Sequence, residues 1–259
     1  MMALLIVFLF CAGSIVYITS QYRNDERLYF ATASQYTKST GSRADSIDEE
    51  AAYGEEAVIE TAPISVDFEG LRAVNSDIIG WIYCEDTPIN YPVLQAGDND
   101  AYLRHNYERE YSTAGSIFVD AANRPGLVDS NTIIYGHHMR NGSMFACLDE
   151  WEDQEFYEEH PVMWLLTPEQ DYKIVLFSGY GTSAYSDTYT IFTGPCEELN
   201  EYLENCVRQS DFQADVETDP EGYYVLLTTC AYMFENARYV LHGMLIPVDS
   251  LPVSQTVGQ

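Results

Sequence analysis

Basic residues are scarce in this chain: 12 Lys and Arg stand against 41 Asp and Glu in 259 residues, a formal net charge of −29. That balance argues against a nucleic-acid partner, because phosphate binding needs a basic face that the chain lacks. It argues equally against docking on anionic lipid headgroups. The excess negative charge is of the kind that keeps an exposed protein soluble. Metal-ligand spacing is missing too, with no His-Glu-x-x-His and no Cys-x-x-Cys pair, so neither a metal nor any other cofactor is expected. The six cysteines do not form the dense framework of small secreted domains. Cys84, Cys147, Cys196 and Cys206 are expected to be mostly free, semi-buried thiols. No internal repeat is visible, and no Lys or Arg precedes the apolar N terminus.

What is present first is that apolar start. Residues 2–19 carry no charge, close to the roughly 20 apolar residues that a membrane-spanning helix needs. A cleaved signal peptide is the competing reading, but no clear Ala-x-Ala site follows, so residues 1–20 are expected to be a retained anchor. Arg23 and Arg27 follow the segment, which the positive-inside rule would place in the cytoplasm. A start codon further upstream would resolve that conflict. Residues 21–62 are polar and include Asp48-Glu49-Glu50, and read as a juxtamembrane stalk in which a short helix has room to form.

From residue 63 to 249 the pattern is that of a folded domain, and residues 250–259 read as a tail. At 46 % hydrophobic and 14 % aromatic, the chain can build a sizeable core. Phe68, Leu71 and Val74 recur at helical spacing, closed by Asn75-Ser76-Asp77. Strands are expected at 78–83, 90–94, 116–119, 132–135, 163–166, 172–178, 223–229 and 238–247. Helical patterns interrupt them at 144–150, 152–158 and 197–209. Many short strands with few helices point to a mainly β (α+β) fold, a closed or nearly closed antiparallel barrel.

The chemistry concentrates near the C terminus. Tyr223-Tyr224-Val225-Leu226-Leu227-Thr228-Thr229-Cys230 is a strand-forming run that ends on a thiol, and Arg238 follows eight residues later. A free cysteine is usually a small buried hydrophobe. Two threonines before Cys230 and a polar loop after it favour an accessible strand end instead. Cysteine nucleophiles act as thiolates, which a nearby cation favours. A guanidinium can also hydrogen-bond the oxyanion of a tetrahedral intermediate, although a salt bridge to one of the many carboxylates is the common fate of an exposed arginine. Ile133-Ile134-Tyr135-Gly136-His137-His138 supplies the histidine. Neighbouring residues on an extended strand point to opposite faces, so only one of His137 and His138 can face the thiol. His105, His160 and His242 read as surface or packing residues.

Taken together these residues resemble the sortases, cysteine transpeptidases of Gram-positive cell surfaces, and class B most. The resemblance is carried by Leu226-Leu227-Thr228-Thr229-Cys230, Tyr135-Gly136-His137 and Arg238, in that family's order. Upstream, Asn75–Ile82, Ile89–Val93, Asp98–Leu103 and Gly115–Asp120 match as well, so that residues 64–248 are covered. Leu226 stands where the family often has Thr, Thr228 where Ser is common, and Ala231 where some relatives carry an acidic group. The last departure bears on substrate preference.

The resemblance implies a closed eight-stranded sortase-type barrel with an N-terminal helix and a helix in the long connection between the sixth and seventh barrel strands, preceded by a transmembrane helix. It implies a single-pass membrane protein whose catalytic domain faces the outside of the cell. Cys230 would attack a Thr carbonyl in the C-terminal sorting signal of a secreted protein and form a thioester. His137 would protonate the leaving amine, Arg238 would steady the oxyanion, and an amine of the peptidoglycan precursor or wall peptide would resolve the acyl-enzyme. By position, Asn99, Leu103, Tyr135, Tyr189 and Thr228 would contact the signal peptide, although core packing would equally account for Leu103 and Tyr135. Three other readings compete. One is a cysteine peptidase that passes the acyl group to water, against which stand the His-before-Cys order and the use of Arg. The others are a non-catalytic scaffold and a sortase dedicated to pilin polymerisation.

Overall fold

The computed structural model describes residues 2–40, 61–230 and 236–248, with the Cys230 side chain outside the described part. The chain opens with one long helix, α1 (Met2–Tyr36). A two-stranded antiparallel sheet follows, β1 (Thr37–Ser39) with β2 (Ile64–Val66), and then α2 (Phe68–Val74). Asp67 caps α2 by accepting from the Gly70 N–H at 2.9 Å. Eight strands come next: β3 (Ile78–Tyr83), β4 (Asn90–Gln95), β5 (Ile117–Val119), β6 (Asn131–Tyr135), β7 (Val162–Leu166), β8 (Tyr172–Ser183), β9 (Tyr223–Cys230) and β10 (Ala237–Pro247). They close a barrel in the order β10-β8-β7-β3-β4-β5-β6-β9.

The barrel is mixed rather than antiparallel. β4 pairs with β5, and β6 with β9, in parallel. A parallel pair cannot be joined by a hairpin and needs a long crossover. Both pairs have one: residues 96–116 separate β4 from β5, and β7, β8 and their connections lie between β6 and β9. The helical stretch expected at 144–150 is a 3-10 helix over Ala146–Glu152. The next helix, α3, spans Gln154–Glu159. Asp153 separates the two by accepting from the Glu155 N–H at 2.8 Å, a local bond that favours a cap over helix continuation.

Packing follows the two-residue period of the strands. Val225 and Leu227 of β9 join the large cluster with Trp81, Ile82, Leu94, Ile134, Tyr239 and Leu241, whereas Tyr224 and Leu226 join a second cluster with Ile133, Phe177 and Val240. The second cluster is closed by α4 (Glu197–Gln209), which lies in the long connection from β8 to β9 and buries Leu199, Leu203 and Cys206 on one face. Cys84, Cys147 and Cys206 are buried free thiols, while Cys11 and Cys196 are exposed. Burial pushes the Cys84 and Cys147 thiols up to about 12 and Cys206 to about 11, so none is a thiolate near neutrality.

Residues 21–36 differ from the expected stalk. They continue α1 without a break and pack on the barrel through Tyr22, Asp25, Leu28, Tyr29, Thr32, Ala33 and Tyr36, which fall on one face of the helix. The polar composition hid this contact because its central members, Asp25 and Tyr29, are held by hydrogen bonds. The rest of the expected stalk at 41–60, the tail at 250–259 and most of the loop after Cys230 lie outside the described residues.

Trp81 is fully buried, and its indole N–H donates to Asn90 Oδ1 at 2.7 Å across the β3–β4 hairpin. Trp81→Ala is expected to destabilise the barrel by about 3–5 kcal/mol, and Trp81→Phe by less. Denaturant titration of the full chain in detergent measures this, and an unchanged midpoint for Trp81→Ala would contradict the packing described.

Candidate active site

The β6–β9 register sets the site. Tyr135 lies opposite Thr228, and the Gly136 N–H donates to the Thr228 carbonyl at 3.1 Å. His137 therefore leaves the sheet at the same end of the barrel at which β9 reaches Cys230. Across the β9–β10 hairpin, Cys230 pairs with Arg238 and Thr229 with Tyr239. Gly136 has no substitute here, since a Cβ would stand 2.6 Å from both Ile117 Cδ1 and Phe145.

A cleft of about 270 Å³ opens at this end. Asn99, Leu103, Tyr135, His137, Thr228 and Arg238, all singled out from the sequence, line it. Phe118, Gly136 and Thr229 complete the lining. Tyr189 stands behind it in a 3-10 turn (Asp187–Tyr189) of the β8–β9 connection. Its hydroxyl is 2.8 Å from Thr228 Oγ1, and its ring stacks on Tyr135 at 6.5 Å. The Cys230 side chain lies outside the described residues; its backbone ends β9 beside Thr229 and opposite Arg238.

The adjacent histidines do diverge. His137 faces the cleft, while His138 Nε2 lies 3.0 Å from Asp149 Oδ2. His137 Nε2 is 2.7 Å from the Leu103 carbonyl oxygen. A carbonyl only accepts, so Nε2 carries a proton and Nδ1 is the nitrogen left to exchange one. Burial lowers the His137 pKa. The Leu103 carbonyl opposes this by favouring the imidazolium, and Arg104 and Arg238 add to the lowering by charge repulsion.

Asp120 is a site residue that the sequence did not mark out, although it ends one of the matching segments. Its Oδ2 accepts from the Tyr135 hydroxyl at 2.8 Å and from Asn99 Nδ2 at 3.2 Å, and its Oδ1 from the Ala122 N–H at 2.8 Å. Asn99 Oδ1 accepts in turn from the Ala121 N–H at 2.7 Å. One buried carboxylate thus fixes two cleft side chains. Burial, and then the bond to Asp120, raise the Tyr135 pKa, so its phenol stays a donor.

A strand that ends on a cysteine, a histidine with one committed nitrogen and an arginine opposite the cysteine thus gather at one end of a closed barrel. The sortase domain model matches residues 82–246, and the chain belongs to the sortase family. Within it the chain is a class B sortase, a cysteine transpeptidase. It is 38 % identical over 184 residues to sortase B of Listeria monocytogenes serovar 1/2a (strain ATCC BAA-679 / EGD-e), covering 70 % of this chain and 74 % of that one. The Staphylococcus aureus sortase B–substrate complex superposes with a TM-score of 0.66 at 33 % identity over 70 % of this chain and 85 % of that one. A sortase B complexed with triglycine gives 0.65 at 34 % identity over 70 % and 86 %.

Because Arg104 repels a protonated ring, Arg104→Gln is expected to raise the pKa of His137. Titration of the labelled imidazole by NMR measures the shift. A midpoint that stays put or falls would remove Arg104 from the electrostatics of the site.

Proposed function

We propose that this chain is a membrane-anchored transpeptidase that cleaves a C-terminal sorting signal after a Thr and joins the secreted protein to an amine of the cell-wall peptide. The observation that carries the reading is the cleft shared by His137 and Arg238 where β9 ends on Cys230.

Cys230 Sγ, as thiolate, attacks the Thr carbonyl carbon, and the Arg238 guanidinium donates to the oxyanion that forms. Collapse of the tetrahedral intermediate breaks the C–N bond. The departing amine takes a proton from His137 Nδ1, while Nε2 remains on Leu103. The thioester then meets an incoming amine, which gives a proton back to Nδ1 as it attacks. Loss of the Cys230 thiolate leaves a new amide. Asn99, Leu103, Tyr135 and Thr228 hold the peptide along the cleft, with Tyr189 buttressing Thr228 and Tyr135. The substrate complex of the Staphylococcus aureus enzyme and the triglycine complex of a sortase B support a peptide signal and an amine acceptor for this chain as well.

α1 supports the anchor. Near the N terminus it is long and apolar enough to cross a membrane, and its first half exposes Leu4, Val7, Phe8, Phe10, Ile15 and Val16. The catalytic domain would then face outward at a Gram-positive surface.

The full chain in detergent, given sorting-signal peptides with and without triglycine, is expected to form the joined product only with the amine present. Cys230→Ala is expected to abolish it, and Arg238→Ala to lower kcat by about 10²–10³. Hydrolysis indifferent to the amine would instead make the chain a peptidase. Turnover persisting in Cys230→Ala would remove the nucleophile.

A further inference from the structure

The loop from Ala96 to Ser116, between β4 and β5, carries the Leu103 carbonyl that accepts from His137. On its other side the loop is held by α1. Asp25, buried, takes Ser112 Oγ on Oδ1 at 2.9 Å, and on Oδ2 it takes Thr113 Oγ1 at 2.9 Å and the Ala114 N–H at 3.3 Å. The Tyr29 hydroxyl donates to the Gly115 carbonyl and lies 3.3 Å from Ser116 Oγ. Tyr29 is itself fixed, 4 % exposed, with its ring edge-on to Tyr91 at 5.4 Å.

Gly115 transmits the contact. Its φ of +57° is the left-handed region that favours glycine. A Cβ there would come 2.6 Å from the Tyr102 oxygen and 2.7 Å from the Leu103 oxygen. The backbone of Gly115 is thus seated against the carbonyl that holds His137. The Ser116 N–H donates to the Tyr102 carbonyl at 3.0 Å, and Ser116 Oγ to the His105 carbonyl at 2.9 Å. These bonds flank Leu103 on both sides. Tyr29, Gly115, Leu103 and His137 form one unbroken series of contacts from the anchor helix to the imidazole.

We propose that Asp25 and Tyr29 of the anchor helix are positioning residues for His137, acting through the 96–116 loop and the Leu103 carbonyl. The proposal rests on His137 being the acid and base of the transpeptidation. The helix that tethers the enzyme also completes its catalytic geometry. Because α1 runs unbroken from its apolar half into this contact, a displacement of the anchor relative to the barrel reaches the ring directly.

Full-length chains in detergent carrying Tyr29→Phe or Asp25→Asn test this. Tyr29→Phe keeps the ring and removes only the hydroxyl. A drop in kcat of about tenfold is expected for each, a fraction of what general acid–base catalysis contributes. The His137 titration midpoint is expected to move to lower pH, because a weakened Leu103 bond no longer favours the imidazolium against burial, Arg104 and Arg238. The Nε2–H resonance should also exchange faster. Unchanged kcat and His137 titration in both variants would overturn the proposal. So would a rate loss that merely follows the unfolded fraction in a thermal melt while the titration stays put. If the wild-type chain joins no peptide to an amine, the function proposed above falls. The imidazole titration needs no turnover and still decides whether α1 positions His137.

Discussion

The parallel pairing of β6 with β9 is the constraint on which the site depends. The two strands are far apart in sequence, and their register sets Tyr135 opposite Thr228. From that pair each strand runs two residues further in the same direction, to His137 and to Cys230. The β9–β10 hairpin then sets Arg238 opposite Cys230. A slip of one residue in either pairing would exchange the faces of a strand. It would also place Val225 and Leu227 where Tyr224 and Leu226 now pack. The hydrophobic clusters on the two faces of β9 therefore hold the register that gathers these residues as a by-product of holding the fold.

Within a strongly acidic molecule the site is locally cationic. Arg238 lines the cleft and Arg104 lies near enough to lower the His137 pKa. Burial keeps the three thiols elsewhere protonated, and acidic neighbours add to it at Cys84 and Cys147. The contrast between those thiols and a strand-end cysteine opposite an arginine is one of surroundings, not of residue type. Leu103 serves twice, its side chain lining the cleft and its carbonyl committing one imidazole nitrogen.

Much of this was legible in the sequence because it is local. The eight barrel strands follow alternating or continuous apolar runs, and α4 falls on its periodic stretch Glu197–Gln209. His137, Arg238, Asn99, Leu103, Tyr135 and Thr228, named from short motifs whose order resembles a known family, line one cleft. What was not legible depends on partners distant in sequence. Asp120 acquires its role only when Tyr135 and Asn99 are folded onto it. The two parallel pairs follow from how long connections cross, which periodicity does not encode. The polar stretch after residue 20 looked unable to bury anything, yet Asp25 is buried through three hydrogen bonds contributed by Ser112, Thr113 and Ala114, some 90 residues further on. Hydrophobic pattern cannot reveal a contact made by satisfied polar groups.

The central claim is that a thioester forms on the cysteine that ends β9. Intact-mass spectrometry of the full chain, mixed with a sorting-signal peptide and no amine, tests it most directly. The account predicts a mass increase equal to the peptide's acyl portion, located at Cys230 after digestion and released when triglycine is added. An adduct on any other residue, or cleavage without an adduct whatever the time of sampling, would contradict it.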